Sequence, residues 1–292
     1  MASHREISGG SSKDRRRPAG PDTARLSDME RGIRSEGMSL ADASRAVEGF
    51  ARYEPGVVSQ LPGESIVRIE VNGDLAGAVH CLPDAPAELA LGWAYLHGFF
   101  TPVDEIDAVT VHEDRVSLMI ETPVDVARQR RVAAGWRDTL DDRSDDLDPQ
   151  PGPFVIHADV LTDIVREAFS VMDQDRAADG FVHAAVASDT SVHCIARDMS
   201  TRPAIAKIAG WLLRDGREVN APILVVRGIV DRDIIASMAG LGVSLVATTG
   251  IPTAEAFREA TGLGVTVVGL ARSRRPGVLV DAGHILEESD EA

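Results

Sequence analysis

The chain has 292 residues, of which 44% are hydrophobic and only 4% aromatic, so it can build a sizeable core whose side chains are mainly aliphatic. A formal net charge of −16 argues against general binding to nucleic acids, because such binding needs a basic surface that displaces counterions from phosphates. The sequence contains no long uninterrupted apolar run of the kind that spans a membrane, and its first thirty residues are polar. We therefore expect a cytoplasmic protein without a membrane partner.

Residues 1–60 are rich in Ser, Gly, Arg and Asp and show no sustained hydrophobic period. This composition is typical of chain that cannot bury enough apolar surface to fold by itself. We interpret residues 1–60 as a disordered or weakly ordered tail, with a short helix predicted near residues 40–50.

Residues 61–122 predict a smaller lobe made of two β-hairpins and one helix. Apolar and polar residues alternate over residues 66–71, turn residues follow at Asn72 and Gly73, and an apolar strand resumes over residues 75–81. A second hairpin is predicted from residues 106–112 and 115–121. Between the hairpins, Asp84 is predicted to cap a helix with an extensive apolar surface.

Residues 123–153 carry many charges and little apolar periodicity, and we interpret them as an acidic linker loop. Residues 154–286 predict a core domain with a helix at 156–172, strands at 181–187 and 191–196, and a helix at 202–213. A βαβαβ unit follows, with strands at 223–226, 243–247 and 265–270 and helices at 231–239 and 253–260. Residues 287–292 form an acidic tail.

Strands of a βαβαβ unit pair in parallel, and ligands of such sheets bind where the strands end at their carboxyl edge. Three arginines, Arg272, Arg274 and Arg275, follow the last predicted strand at that edge. In an acidic chain such a cluster can hold a phosphate through charge-assisted hydrogen bonds. The alternative is a basic surface patch that pairs with nearby acids, and spacing alone does not separate the two.

No GxGxxG, Walker, GxSxG or HExxH motif occurs, so the common nucleotide-binding and hydrolase signatures are absent. His183 is the first histidine to consider, in either a structural or a catalytic role. A zinc deaminase or related hydrolase would add a glutamate after it and a later PCxxC, and neither is present, so no metal site is predicted. The two cysteines, Cys81 and Cys194, form no CxxC, and we expect both to be buried thiols.

Several segments resemble, in the right order, those of the accessory proteins of molybdenum formate dehydrogenase called FdhD. They are IEVNGDLAGAVHCLPDAPAELALGWAYLHGFF, GFVHAA, RDMSTRPAIAKIAG, ILVVRG and GIPTAEAFREATGLGVTVVGLARSRR. The resemblance extends from Glu64 to the C-terminus. It implies an α/β fold in which a deaminase-like three-layer α/β/α core carries a smaller N-terminal α+β lobe, in a protein that is usually dimeric.

The resemblance also implies a function. The family binds the molybdenum cofactor in its bis-guanine-dinucleotide form and passes it sulfur, received from a cysteine desulfurase, before the cofactor enters formate dehydrogenase. The cofactor-binding positions that the resemblance implies in this sequence are Leu270, Ala271, Arg272, Ser273, Arg274 and Arg275, with His183 and Thr253 lining the pocket.

This sequence departs from the family at the sulfur carrier. The family has a CxxC after the first lobe, whereas residues 130–137 contain no cysteine, and a persulfide intermediate needs a thiolate. A neighbouring EDVGRHN-type motif keeps Asp198 and Lys207 but has Arg197 in place of glutamate. Whether the chain acts as a sulfurtransferase therefore stays open. It is either a maturation factor that binds the cofactor and supports its sulfuration, or a catalytically inactive paralogue that binds proteins or regulates them, as a homodimer or with a CxxC-bearing copy.

Overall fold

The computed structural model describes residues 63–101, 106–121, 123–126, 154–174, 180–216 and 218–287. The predicted tail at residues 1–60 with its short helix, nearly all of the predicted linker, and residues 288–292 lie outside this part. The strands are β1 (Ser65–Val71), β2 (Asp74–Cys81), β3 (Ile106–His112), β4 (Arg115–Ile120), β5 (Ile156–His157), β6 (Val182–Ala187), β7 (Val192–Asp198), β8 (Ile223–Arg227), β9 (Leu245–Thr248), β10 (Thr266–Gly269), β11 (Gly277–Val280) and β12 (Ile285–Leu286). The helices are α1 (Pro86–Leu96), α2 (Ala158–Gln174), α3 (Thr201–Arg214), α4 (Arg232–Ala239) and α5 (Ala254–Leu263).

The smaller lobe contains a four-stranded sheet in the order β2-β1-β4-β3, so both hairpins predicted from the alternating pattern are present. The first turn uses Asn72 at φ 52° and Gly73 at φ 88°, a left-handed conformation that both residues tolerate. Strand β1 pairs in parallel with β4, which joins the two hairpins. Its residues Val67, Ile69 and Val71 are fully buried, as a strand with one face on the core requires.

The larger sheet has six strands in the order β11-β10-β9-β8-β6-β7. Strands β8, β9 and β10 pair in parallel, so the predicted βαβαβ unit is present. The sheet as a whole is mixed, because the β6-β7 hairpin joins β8 in antiparallel fashion and β11 returns antiparallel to β10. Strand β11 was not predicted, because its residues do not alternate between apolar and polar. Its side chains Val278 and Leu279 are apolar but exposed.

Helices cover both faces of this sheet, which gives the α/β fold that the resemblance implied. Apolar residues of α3, α4 and α5 pack on one face. On the other face α2 packs with the short strands β5 and β12. Among the residues that the structure describes, no helix is both long enough and apolar enough to cross a membrane.

Helix α1 of the smaller lobe packs directly against α3 of the core domain. The two backbones approach so closely that a Cβ atom at Gly92 would lie 1.8 Å from the carbonyl oxygen of Ala206. A Cβ atom at Gly210 would lie 1.9 Å from the carbonyl oxygen of Glu88. Glycine is therefore required on both sides of the crossing, and residues of the smaller lobe and of the core domain share one apolar cluster.

The predicted cap of α1 was wrong. Ala85, at φ 48°, precedes the helix without a side-chain cap, and Pro86 occupies the first turn, where its missing N–H costs no hydrogen bond. The Asp84 carboxylate instead pairs with the buried Lys207 ammonium of α3. A buried ammonium needs an opposite charge, and that requirement outweighs the modest gain from capping a helix.

Candidate functional site

The candidate site lies along the edge of the sheet where β8, β9 and β10 end. Hydrogen bonds join the loops that follow these strands: the Thr248 hydroxyl donates to the Gly228 carbonyl at 2.8 Å, and the Leu270 amide donates to the Gly250 carbonyl at 3.0 Å. The Thr253 amide donates to the Val230 carbonyl at 3.2 Å. The three loops therefore form one continuous surface at the carboxyl edge, the place where ligands of such sheets bind.

Residues 270–275 form a tight turn directly after β10. Leu270 adopts a left-handed φ of 51°, and its carbonyl accepts a hydrogen bond from the Ser273 amide at 2.7 Å. The Ala271 amide donates to the Thr248 carbonyl at 2.9 Å, and the Ser273 hydroxyl accepts from the Arg275 amide at 3.1 Å. The turn thus anchors the backbone of the arginine cluster to the end of the sheet.

Arg272 forms a charge cluster with residues of α2. Its guanidinium donates two hydrogen bonds to the Asp173 carboxylate, at 3.2 and 2.6 Å, and its Cζ lies 5.6 Å from the centroid of the Phe169 ring. Arg227, the last residue of β8, also donates to the Asp173 carboxylate. One carboxylate therefore binds two arginines that are far apart in the sequence.

His183 lies beside this cluster. It is almost fully buried, at 1% exposure, and it occupies the position on β6 directly opposite Arg227 on β8. Its Nδ1 lies 3.2 Å from the Phe181 carbonyl oxygen. The fold thus brings His183 near Arg272 through Arg227, a residue that the sequence analysis did not assign to the site.

Arg274 and Arg275 differ from Arg272 in their surroundings. Both are exposed, and within the described part of the chain neither guanidinium has a hydrogen bond or ion pair. Two of the three arginines at this edge are therefore solvated and accessible to a ligand, while the third is held by an internal carboxylate.

Thr253 lies on the same edge and caps α5. Its hydroxyl accepts a hydrogen bond from the Ala256 amide at 3.1 Å, which satisfies one of the free amides in the first turn. The neighbouring loops expose Ile229 and Ile251, each at 65%. Two exposed apolar side chains thus lie on the loops that follow β8 and β9.

A second group of charges lies between the smaller lobe and the core domain. The Lys207 ammonium is buried, pairs with the Asp84 carboxylate, and lies 2.8 Å from Asp198 Oδ2. It also donates to the Arg197 carbonyl at 3.0 Å. Burial raises the pKa of Asp198, although the Lys207 ammonium opposes that rise. The two polar residues that the sequence keeps from the family motif are therefore partners in one buried ion pair.

Cys81 is fully buried, as expected, whereas Cys194 is only half-buried, so the expectation of a buried thiol is confirmed for Cys81 alone. Burial raises the pKa of Cys81 to about 12, and the negative charge of Asp198 adds to the effect. Burial likewise raises the pKa of Cys194 to about 12, with a further contribution from Glu88. Since the sequence contains only these two cysteines, the chain has no thiol that ionises near neutral pH.

Sequence reasoning found the arginine cluster but missed Asp173, Arg227 and the buried ion pair. Asp173 is one of 46 acidic residues and stands 99 positions before Arg272, so no local pattern marks it. The one available signal for the ion pair was Lys207 itself, an uncommon lysine in an arginine-rich chain, placed on the apolar helix α3.

Comparison with known proteins gives consistent matches. The model of the FdhD/NarQ family matches residues 62–286. The sulfur carrier protein FdhD of Methanothermobacter thermautotrophicus is 24% identical over 242 residues, which cover 80% of this chain and 93% of that protein. The protein of the same name from Anaeromyxobacter dehalogenans is 27% identical over 279 residues, or 85% of this chain and 96% of that one. A crystal structure described as a formate dehydrogenase accessory protein, from Desulfotalea psychrophila, shares the fold with a TM-score of 0.66 at 18% identity, covering 83% of this chain and 96% of that one.

Proposed function

Because this chain belongs to the FdhD/NarQ family, we propose that it is a formate dehydrogenase accessory protein that binds the molybdenum cofactor in its bis-guanine-dinucleotide form. The observation that carries the proposal is the arginine cluster at the carboxyl edge of the sheet. Arg274 and Arg275 are exposed in the same turn as Arg272, at the edge of the sheet where a dinucleotide would place its phosphates.

The residues present fit an anionic dinucleotide. Guanidinium groups bind phosphate oxygens in pairs, and a local basic cluster is what an acidic chain needs to hold such a ligand. Leu270, Ala271 and Ser273 would hold the arginines in the turn after β10, with Thr253 and His183 on neighbouring loops and strands. When bound, the cofactor would supply the molybdenum and pterin chemistry of the dehydrogenase, and the side chains of this protein would bind and orient it.

The same chain does not fit the role of persulfide carrier. A carrier needs a thiolate that accepts sulfur from a desulfurase and delivers it, and both thiols of this protein are held neutral by burial. We propose that the protein presents the cofactor while a cysteine of a partner protein, either a cysteine desulfurase or a CxxC-bearing family member, delivers the sulfur.

The test is titration of purified protein with GDP, which carries the guanine and diphosphate groups of the cofactor, by isothermal calorimetry. Replacing Arg272, Arg274 and Arg275 together by Ala is expected to weaken binding about tenfold to a hundredfold, since each exposed contact to phosphate contributes a modest amount. The matched control removes three arginines whose ion pairs lie elsewhere, Arg68, Arg166 and Arg258. Equal GDP affinity in wild type and in the first variant would contradict the assignment.

A second candidate is a catalytically inactive paralogue that binds proteins or regulates them, alone or paired with a CxxC-bearing copy. The observation that favours it is that the pKa of both cysteines is raised, in a family whose curated members are named sulfur carriers. Transfer of a persulfide to Cys81 or Cys194 of the folded protein would contradict it.

A further inference from the structure

We propose that Asp173 is an internal counter-ion that occupies the anion position between Arg227 and Arg272, so that only a ligand with at least two negative charges displaces it. The proposal deepens the proposed function and rests on it, because it concerns the selectivity of the same arginine site. It assigns an affinity-determining role to a residue on α2, outside the turn that carries the arginine cluster.

The first observation is the geometry of the carboxylate. Both Asp173 oxygens accept hydrogen bonds from Arg272, at 3.2 and 2.6 Å, and one of them also accepts from Arg227. Two converging guanidinium groups with a bidentate oxyanion between them form the arrangement by which arginines bind a phosphate. The carboxylate thus takes the place that a phosphate group would occupy.

The second observation is that the site is incompletely satisfied by this carboxylate. The Nε atom of Arg227 is buried, and it finds no hydrogen-bond partner among the residues that the structure describes. A buried N–H group without an acceptor is unfavourable, and the Asp173 carboxylate, which accepts three hydrogen bonds from the two arginines, accepts none from this Nε atom. A phosphate has more acceptor oxygens and can satisfy this donor as well.

The third observation is the position of Asp173 on its helix. It is the penultimate residue of α2, and no basic residue occurs in the last turn of that helix. A negative charge is disfavoured there, because the exposed carbonyl groups give the end of a helix a partial negative charge. Asp173 therefore gains little from its own helix, and the two arginines hold it in place. About 44% of its side chain is exposed, so it can turn toward solvent when a ligand arrives.

These observations lead to a statement about ligand class. A monovalent anion interacts with the two arginines no more favourably than the Asp173 carboxylate does, so it cannot displace that carboxylate. A diphosphate carries more charge and more acceptor oxygens, so it can compete with Asp173, whereas acetate or chloride cannot. Asp173 thereby restricts the site to polyanions such as pyrophosphate and nucleoside diphosphates.

The test compares binding of inorganic pyrophosphate and GDP to wild type and to Asp173→Asn by calorimetry at fixed ionic strength. Removing the competing charge is expected to raise the affinity for both ligands about threefold to tenfold. Acetate is expected to weaken pyrophosphate binding by the variant more than by wild type, because the variant leaves the position open to monovalent anions. Arg272→Gln in the Asp173→Asn background is expected to abolish the gain.

The matched control is Asp163→Asn, which removes the same charge from the exposed side of the same helix, where Asp163 pairs with Arg166. Unchanged or weaker binding in Asp173→Asn, or an equal gain in Asp163→Asn, would overturn the inference while GDP binding by wild type would still support the proposed function. Conversely, pyrophosphate binding by Asp173→Asn without GDP binding by wild type would support the counter-ion role and count against the proposed cofactor binding. If neither protein binds either ligand, both proposals fail. The circular dichroism spectrum and Tm of each variant verify that it is folded.

Discussion

At the scale of single residues, the two cysteines decide how sulfur chemistry can proceed. The thiolate is the reactive form, and a thiol with a pKa of about 12 is almost wholly protonated at neutral pH. Raising the pH to 9 still leaves both groups mainly protonated. Low reactivity is thus a property of the folded chain, because burial causes most of each shift.

We expect neither Cys81 nor Cys194 of the folded protein to react with a thiol reagent between pH 7 and 9, or to accept a persulfide from a cysteine desulfurase. After unfolding in urea, both should react, because the shift in pKa disappears with burial. Mass spectrometry of the labelled peptides measures this directly. Thr261→Cys, at an exposed position of α5, provides a reactive control in the same protein. Rapid labelling of either native cysteine at pH 7 would contradict the prediction.

Residue roles were only partly predictable from the sequence. The composition marked Arg272, Arg274 and Arg275, because three arginines after an apolar strand stand out in an acidic chain. It could not indicate that Asp173 holds one of them and leaves the others solvated, since that pairing depends on how α2 lies against the sheet. The misassigned role of Asp84 has the same cause, because its partner Lys207 is 123 residues away.

At the scale of secondary-structure elements, the spacing of hydrophobic residues along the sequence predicted the buried strands and helices of the core. Strands β8 and β9 are short apolar runs between helices with clear spacing, and such patterns do not depend on the rest of the fold. Strands β5 and β12 have only two residues each, and β11 is largely exposed. Their formation depends on the neighbouring strand that supplies hydrogen bonds, so sequence period alone could not predict them.

The crossing of α1 and α3 supports a prediction about stability. Gly210→Ala should lower the free energy of unfolding by about 2 kcal/mol or more, because the new methyl group would overlap the Glu88 carbonyl and force the helices apart. Higher helix propensity of alanine, about 1 kcal/mol, would offset only part of that loss. Gly262→Ala is the matched control, since a Cβ there meets no atom within 4 Å, and it should be neutral or slightly stabilising. Urea unfolding measures both, and equal stabilisation by the two changes would contradict the close crossing.

At the scale of the whole molecule, the order of the strands was the least predictable feature. The βαβαβ pattern indicated three parallel strands, but it did not indicate that the β6-β7 hairpin would extend the same sheet. That pairing places His183 opposite Arg227 and completes the candidate site. The family resemblance predicted the three-layer architecture because it extends over most of the chain. The spacing of hydrophobic residues, in contrast, predicts each strand or helix separately.

The buried ion pair of Lys207 links the smaller lobe to the core domain, and its removal should have a pH-dependent effect. In Lys207→Met the Asp198 carboxylate loses its cation and the Asp84 carboxylate keeps only Arg197, so we expect a loss of about 3–5 kcal/mol in the free energy of unfolding at pH 7. Burial already raises the pKa of Asp198, and without the ammonium it should rise further. A carboxyl group whose pKa is higher in the folded than in the unfolded state takes up a proton on folding, so this cost increases as the pH rises and decreases in acid.

The difference between wild type and Lys207→Met should therefore be smaller at pH 5 than at pH 8, as measured by urea unfolding across that range. Adding Asp198→Asn to the variant should remove most of the pH dependence, because a neutral amide replaces the unpaired charge, whereas Asp84 still pairs with Arg197. Arg166→Met breaks the exposed pair with Asp163 and should change stability by less than about 1 kcal/mol at either pH. A difference between wild type and Lys207→Met that stays constant from pH 5 to pH 8 would show that the loss comes from packing, and that the two lobes do not depend on this charge pairing.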